Sequence, residues 1–306
     1  MNFLPKMSAS PLKPLTLRML KDDSNAIFKA SLNELFNRRT KNKEFQGPTT
    51  ESNQLVDSLI TVGAYPAPPD GITPESVGNL LNALVQFGIE VFVCMNSEYG
   101  TRRDHPAYGP KTQDSNTLFC DFGLPRLPEH ITFINMPIKD MNTGDPHQII
   151  KLCLTIETFV RNGKHVYIHC SGGHGRTGII AAIVLWLLYK APVDEIFAYL
   201  QYAHDQREAT YSNINHARYI KERLFRLFEL GQVPTPQTTD QRNQVRDIIK
   251  ILQKRERLIK TIKRKLAKLA KKQQTIKSRS AKNCIRKEKR TLHSQLKKQL
   301  DFEEIV

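Results

Sequence analysis

The stretch HVYIHCSGGHGRTGIIAAIVLWLLYK, residues 165–190, decides the fold. HVYIHC reads as a buried strand by its Val, Tyr and Ile. The run from Arg176 to Lys190 reads as a helix that is apolar on every side and therefore buried. Between them lies a loop poor in side chains, with glycines at 172, 173, 175 and 178. A strand that passes through a glycine-rich loop into a helix makes an anion site. Backbone N–H groups point inward, and the helix N-terminus adds the positive end of its dipole. Glycines let the backbone wrap closely around a tetrahedral anion. Ser171, Gly172, Gly173, His174 and Gly175 are the candidate phosphate-binding positions, and Arg176 can fork onto two phosphate oxygens. The same positive field favours a thiolate at Cys170, and a thiolate facing a bound phosphate is a nucleophile aimed at phosphorus. Thr177 can hydrogen-bond that thiolate as it leaves again. A structural cysteine beside a glycine turn would leave the arginine and the missing large side chains unexplained. A Walker-type nucleotide loop is excluded because its lysine is absent.

Outward from this stretch, short apolar strands alternate with helical segments. LITVGAYP (59–66), IEVFVCMN (89–96) and ITFINMPI (131–138) read as strands. TPESVGNLLNALVQFG (73–88) reads as a helix, with Thr73 as cap, Pro74 at its first position and Gly88 as terminator. DPHQIIKLCLTIETFVRNGK (145–164) reads as another, ending at Gly163, and further helices are expected near 192–206, 213–230 and 239–272. The alternation predicts an α/β fold with a mostly parallel central sheet flanked by helices. Residues 1–56 form a lead-in with one helix, Ser24 to Arg39, capped by Ser24. Residues 57–249 form the catalytic body, and 250–306 a basic helical or coiled-coil tail.

The charge distribution supports that division. From Lys250 to Gln299 there are 20 Lys and Arg against two acids, Glu256 and Glu288, a net of +18. The whole chain carries +16, so the rest is nearly neutral at −2. Five cysteines with no CxxC pair argue against a disulfide framework or a zinc knuckle and for a reducing, intracellular setting, cytoplasmic or nuclear. The start of the chain lacks the pattern of a signal peptide. The longest apolar run, Ile179 to Tyr189, is far shorter than the roughly 20 residues that span a bilayer.

The tail has a heptad trace. Leu252, Ile259 and Leu266 are spaced by seven, as are Ile262, Leu269 and Ile276, and Ile285, Leu292 and Leu296 form a second stripe beyond SRSAKN (278–283), where a break is expected. One long or two paired amphipathic helices fit this pattern. Its lysines suit a solvated coiled-coil face, a nucleic acid, an anionic membrane surface or a partner helix. RKEKR (286–290) and KRKLAKLAKK (263–272) also have the composition of nuclear import signals.

The pattern HC-x2-G-x2-R-T, carried by His169, Cys170, Gly173, Arg176 and Thr177, resembles the signature of the cysteine-dependent protein tyrosine and dual-specificity phosphatases. The resemblance runs from about Leu59 to Ile249. It implies hydrolysis of phosphate monoesters through a phosphocysteine, with no metal and no cofactor, on a phosphorylated protein or a phosphoinositide. In compact members of that family the general acid is an aspartate on a loop some thirty residues before the cysteine, which matches Asp140 in MPIKDMNTGD. Asp145 is the second choice, although an N-cap suits it better, and Asp121 is a remote third. TPQTTDQRNQV (235–245) resembles the glutamine loop of the tyrosine-specific members through Gln237, Thr238, Asp240 and Gln241, with Gln237 orienting the hydrolytic water. The K-N-R-Y segment that deepens the tyrosine pocket is missing, so the dual-specificity branch fits better. Phosphoinositide-directed members often carry lysines in the loop, where this chain has Ser171 and His174, the latter expected to face solvent. An RNA 5′-phosphate is the other alternative substrate the resemblance implies, although RNA triphosphatases tend to have Asn where Gly175 stands. A lipid-phosphatase branch has a cysteine resembling Cys94 that bonds the catalytic one. The remaining alternative to an enzyme is a catalytically silent phosphate-binding module.

Overall fold

The computed structural model describes residues 28–42, 44–66, 74–97, 130–207, 235–276 and 278–301. The strand expected before the glycine loop is β5 (His165–His169), and every one of its residues is buried. Such burial on both faces is the mark of a central strand in a parallel sheet. With β1 (Ser52–Val56), β2 (Ile60–Gly63), β3 (Ile89–Asn96) and β4 (Thr132–Ile138), β5 forms a five-stranded sheet in the order β1-β2-β5-β3-β4. β2, β5, β3 and β4 run parallel, and only β1 is antiparallel to its neighbour. The register sets Val62 and Val93 on either side of Ile168.

Alternation along the strands separates two apolar layers. Val166 and Ile168 join Val91 and Val93 in the larger core, while Tyr167 joins Phe92 in the smaller one. The smaller layer is closed by α2 (Pro74–Gln86) through Val77, Leu81 and Leu84. The larger layer is closed by α3 (Pro146–Arg161), α4 (Gly175–Tyr189) and α5 (Val193–Asp205). α4 is buried at every position from Gly175 to Leu188, because helices or sheet cover it all round. Each of its Ile and Leu side chains contributes about 1.5–3 kcal/mol by leaving water. The helix that follows the glycine loop is thereby one of the most firmly held elements of the molecule.

The lead-in does not stand apart. Its helix, α1 (Leu32–Asn42), begins later than the sequence pattern predicts. Ser31 and Glu34 form the cap: Glu34 donates its backbone N–H to Ser31 Oγ, and the Ser31 backbone N–H donates to the Glu34 carboxylate. Ser24, the expected cap, lies outside the described residues, as do Thr73, Asp121 and the helix expected at 213–230. Leu32, Leu35 and Phe45 enter the core, and buried Arg39 pairs with Asp57 and donates to Gln54 O. β1 was not legible as a strand, yet it completes the sheet edge.

α6 (Thr239–Thr275) is one continuous helix of 37 residues, about 55 Å long at 1.5 Å per residue. The boundary expected between 249 and 250 falls inside it. Its first half packs on the body through Val245, Ile248, Ile249 and Leu252. Its second half pairs with α7 (Arg279–Asp301), where Ile262, Ile285 and Leu292 are buried. α6 ends at Thr275 and α7 begins at Arg279, so most of SRSAKN is helical rather than a break. The heptad trace is thus a two-helix hairpin.

Candidate active site

The phosphate loop is held by its carbonyl groups. Ser171 O accepts from Tyr65 N at 2.9 Å, Gly172 O from Arg207 Nη1 at 3.1 Å, and Gly173 O from Arg207 Nη2 at 3.3 Å. In a trans peptide the carbonyl and the next N–H point in opposite directions. Three carbonyls drawn outward therefore turn the amides of Gly172, Gly173 and His174 to the inner side of the loop. That is the geometry of an anion nest. Gly173 has φ 73°, and a Cβ there would meet the Gly63 backbone at 2.5 Å, so glycine is obligatory at this turn.

Arg207 is held in turn. It is almost fully buried, and its Nε donates to Asn53 Oδ1, while Asn53 Nδ2 donates to Ala203 O. β1, α5 and the phosphate loop are tied together through these two side chains. Neither was legible in the sequence as part of the site, because their partners lie up to 154 residues away.

Cys170 follows β5 directly and is buried, as is His169 before it. Thr177, in the first turn of α4, has its Oγ1 buried with no hydrogen-bond partner among the described residues. A hydroxyl in that state is a donor available to a thiolate. Cys94 lies across from His169 in the β3–β5 register, one residue from Cys170 in sequence, and both cysteines are free thiols.

His174 corrects an expectation: it is buried rather than solvent-facing. Its Nε2 lies 3.1 Å from His204 Nε2 on α5. Burial first, and the nearby Arg207 cation second, hold His204 well below the usual imidazole value, so it is neutral at pH 7. One ring donates and the other accepts.

Arg176 joins the phosphate loop to the loop after β4. Its side chain is 1% exposed; Nη1 donates to Ile138 O at 3.0 Å, and Nη2 lies 3.0 Å from Asp140 Oδ1. Asp140, 56% exposed, is thus the candidate acid brought to the loop. Asp145 has the other role foreseen for it: it caps α3, its carboxylate accepting from Gln148 N at 2.8 Å.

The start of α6 clamps the same acid loop. Thr238 and Gln241 form a capping box. Buried Gln241 accepts from Gln237 N and Thr238 N through Oε1, and its Nε2 donates to Asn142 O at 3.0 Å. Its amide packs on Gly175, where an added Cβ would meet Oε1 at 2.7 Å. One turn on, Gln244 makes two hydrogen bonds to Gly144, accepting from its N–H at 3.2 Å and donating to its carbonyl at 2.5 Å. Gln237 stands at the head of this turn, half-buried. Gln244→Ala is expected to cost about 1–2 kcal/mol for two part-buried hydrogen bonds. That predicts a melting point lower by several degrees and turnover of an alkyl phosphate reduced several-fold, measured by calorimetry and phosphate release.

Residues 114–189 match the family model described as Tc-R-P, polymorphic toxin system, DSP-PTPase phosphatase. A putative tyrosine phosphatase 067L of Invertebrate iridescent virus 3 is 33% identical over 95 residues, which are 29% of this chain and 38% of that protein. A putative tyrosine phosphatase 197R of Invertebrate iridescent virus 6 is 31% identical over 83 residues, 25% of this chain and 30% of that protein. The matches therefore span 38% and 30% of these relatives' own length. Among solved structures, Tk-PTP in its active form aligns with 56% of this chain and 97% of its own at 18% identity and TM-score 0.36. Kinase associated phosphatase aligns with 55% of this chain and 87% of its own at 19% identity and TM-score 0.37. Over residues 114–189 the chain is similar to the cysteine-dependent tyrosine and dual-specificity phosphatases. Among the described residues, no helix is long and apolar enough to cross a membrane.

Proposed function

We propose that this protein hydrolyses phosphate monoesters of a phosphorylated protein through a phosphocysteine at Cys170, in the manner of a dual-specificity phosphatase. The observation that carries the reading is the convergence, on one buried arginine, of the nucleophile's loop and the aspartate loop. The inward amides and Arg176 hold the phosphoryl oxygens. The Cys170 thiolate attacks phosphorus as the P–O ester bond breaks, and Asp140 gives its proton to the leaving oxygen. Water then attacks the phosphocysteine, Asp140 takes its proton back, and Cys170 Sγ leaves with Thr177 donating to it. Gln241 has its amide committed to backbone groups, so the water-orienting role remains with Gln237.

A phosphoinositide fits less well. Its second phosphate needs another cation in the loop, and the only candidate, His174, is buried against neutral His204. The enzyme reading is tested with p-nitrophenyl phosphate in the presence and absence of EDTA. Metal-independent release supports it; no release in either case leaves a silent phosphate-binding module.

The acid assignment has its own test. Asp140→Asn is expected to slow esters with poor leaving groups by about 10²-fold or more, and to slow those with good leaving groups far less. Asp145→Ala should lose stability through the cap of α3 and leave that dependence unchanged. A leaving-group series on both variants decides; the reverse pattern would move the acid to Asp145.

A further inference from the structure

We propose that the α6–α7 hairpin is a docking surface for duplex DNA, held through its phosphates without regard to sequence. The proposal stands apart from the catalytic reading. Residues 250–299 carry a net +18 against −2 for the rest of the chain. Lys263, Arg264, Lys268, Arg286 and Arg290 are all exposed on the hairpin. A duplex is the polyanion of matching density, with about one charge per 1.7 Å of its axis.

The pairing of the two helices removes the membrane alternative that the sequence left open. An interfacial helix needs an apolar face to insert. Here the stripe is used between the helices, where Ile262, Ile285 and Leu292 are 4%, 5% and 8% exposed. Two apolar residues of α6, Ile251 and Leu258, remain exposed, too few to make an inserting face. Single strands are held by stacking on aromatic rings, and residues 250–299 contain no Phe, Tyr or Trp. Dimensions favour B-form over A-form. α7, with 23 residues, is about 34 Å long, close to one turn of B-DNA. A single helix fits a major groove about 12 Å wide, whereas the deep, narrow groove of duplex RNA shuts it out.

The test uses the full chain and a labelled DNA duplex of mixed sequence about two turns long, followed by fluorescence anisotropy across a salt series. Duplex RNA, single-stranded DNA and mixed phosphatidylcholine–phosphatidylserine vesicles are run beside it. Tightest binding to duplex DNA, falling steeply with salt, is expected. Changing Lys263, Lys268, Arg286 and Arg290 together to Gln should weaken it at least tenfold and flatten the salt slope by about 0.9 per lost contact. Hydrolysis of p-nitrophenyl phosphate and helical content should not change, since Gln propagates helices well. A companion that exchanges Lys for Arg and Arg for Lys at the same positions should bind like the parent; if the Gln variant loses helicity, this companion and the wild-type ranking of ligands carry the test. Absent binding at physiological salt, equal or tighter binding to RNA, single strand or vesicles, or a Gln variant with an unchanged slope overturns the proposal.

Discussion

Cys170→Ser is expected to lower turnover of an aryl phosphate by roughly 10³-fold or more, while phosphate esters still bind. The two halves of that result have separate causes. Binding rests on backbone amides whose orientation is set from outside the loop, by Tyr65 N and by the two Arg207 hydrogen bonds. None of those contacts involves the cysteine side chain, so exchanging sulfur for oxygen leaves the cradle in place. Chemistry rests on sulfur. A serine hydroxyl remains protonated where a thiol yields a thiolate. Affinity for a phosphotyrosine peptide by calorimetry should stay within a few-fold of the parent. Turnover above about a hundredth of the parent would remove Cys170 from the role of nucleophile.

The strand, loop and helix around Cys170 were legible because each signal is local. Glycine spacing, an apolar run and a flanking strand need no knowledge of the rest of the chain. Asp145 as a cap and Gly88, with φ 101°, as the terminator two residues after α2 are local for the same reason. What stayed hidden is long-range. SNQLV (52–56) has too few apolar residues to read as a strand, yet Asn53 is the residue that holds Arg207, and Arg207 holds the loop. His174 looked like a loop histidine because nothing near it in sequence marks His204, thirty positions on, as its partner. Gln244 looked like one polar residue among several on α6, and only the fold brings Gly144 to it. The tail was half legible. Its heptads announced a hydrophobic seam, but whether that seam faces a membrane, another chain or itself depends on the pairing of α6 with α7, which no local signal marks.

Arg176→Lys should be nearly as damaging as loss of the nucleophile, and in a different way. The guanidinium does three things at once in this molecule. It donates to Ile138 O, it pairs with Asp140, and it presents its fork to the phosphate loop from the first turn of α4. A lysine offers one compact charge and cannot satisfy a carbonyl and a carboxylate while forking onto two phosphoryl oxygens. At a site 1% exposed, the ammonium is also poorly solvated, and whichever group it abandons stays unpaired. Loss of one preorganised donor to a transition-state anion costs about 10²–10³ in rate. Loss of the link to Ile138 and Asp140 adds a misplaced acid. The expected signature is therefore combined: weaker phosphate binding, lower turnover, and a steeper dependence on leaving group, resembling Asp140→Asn superimposed on a binding defect. Cys170→Ser would show only the loss of turnover. If Arg176→Lys instead binds inorganic phosphate as the parent does and keeps the parent's leaving-group dependence, the arginine bridges the two loops for stability alone, and phosphate recognition rests on the backbone amides.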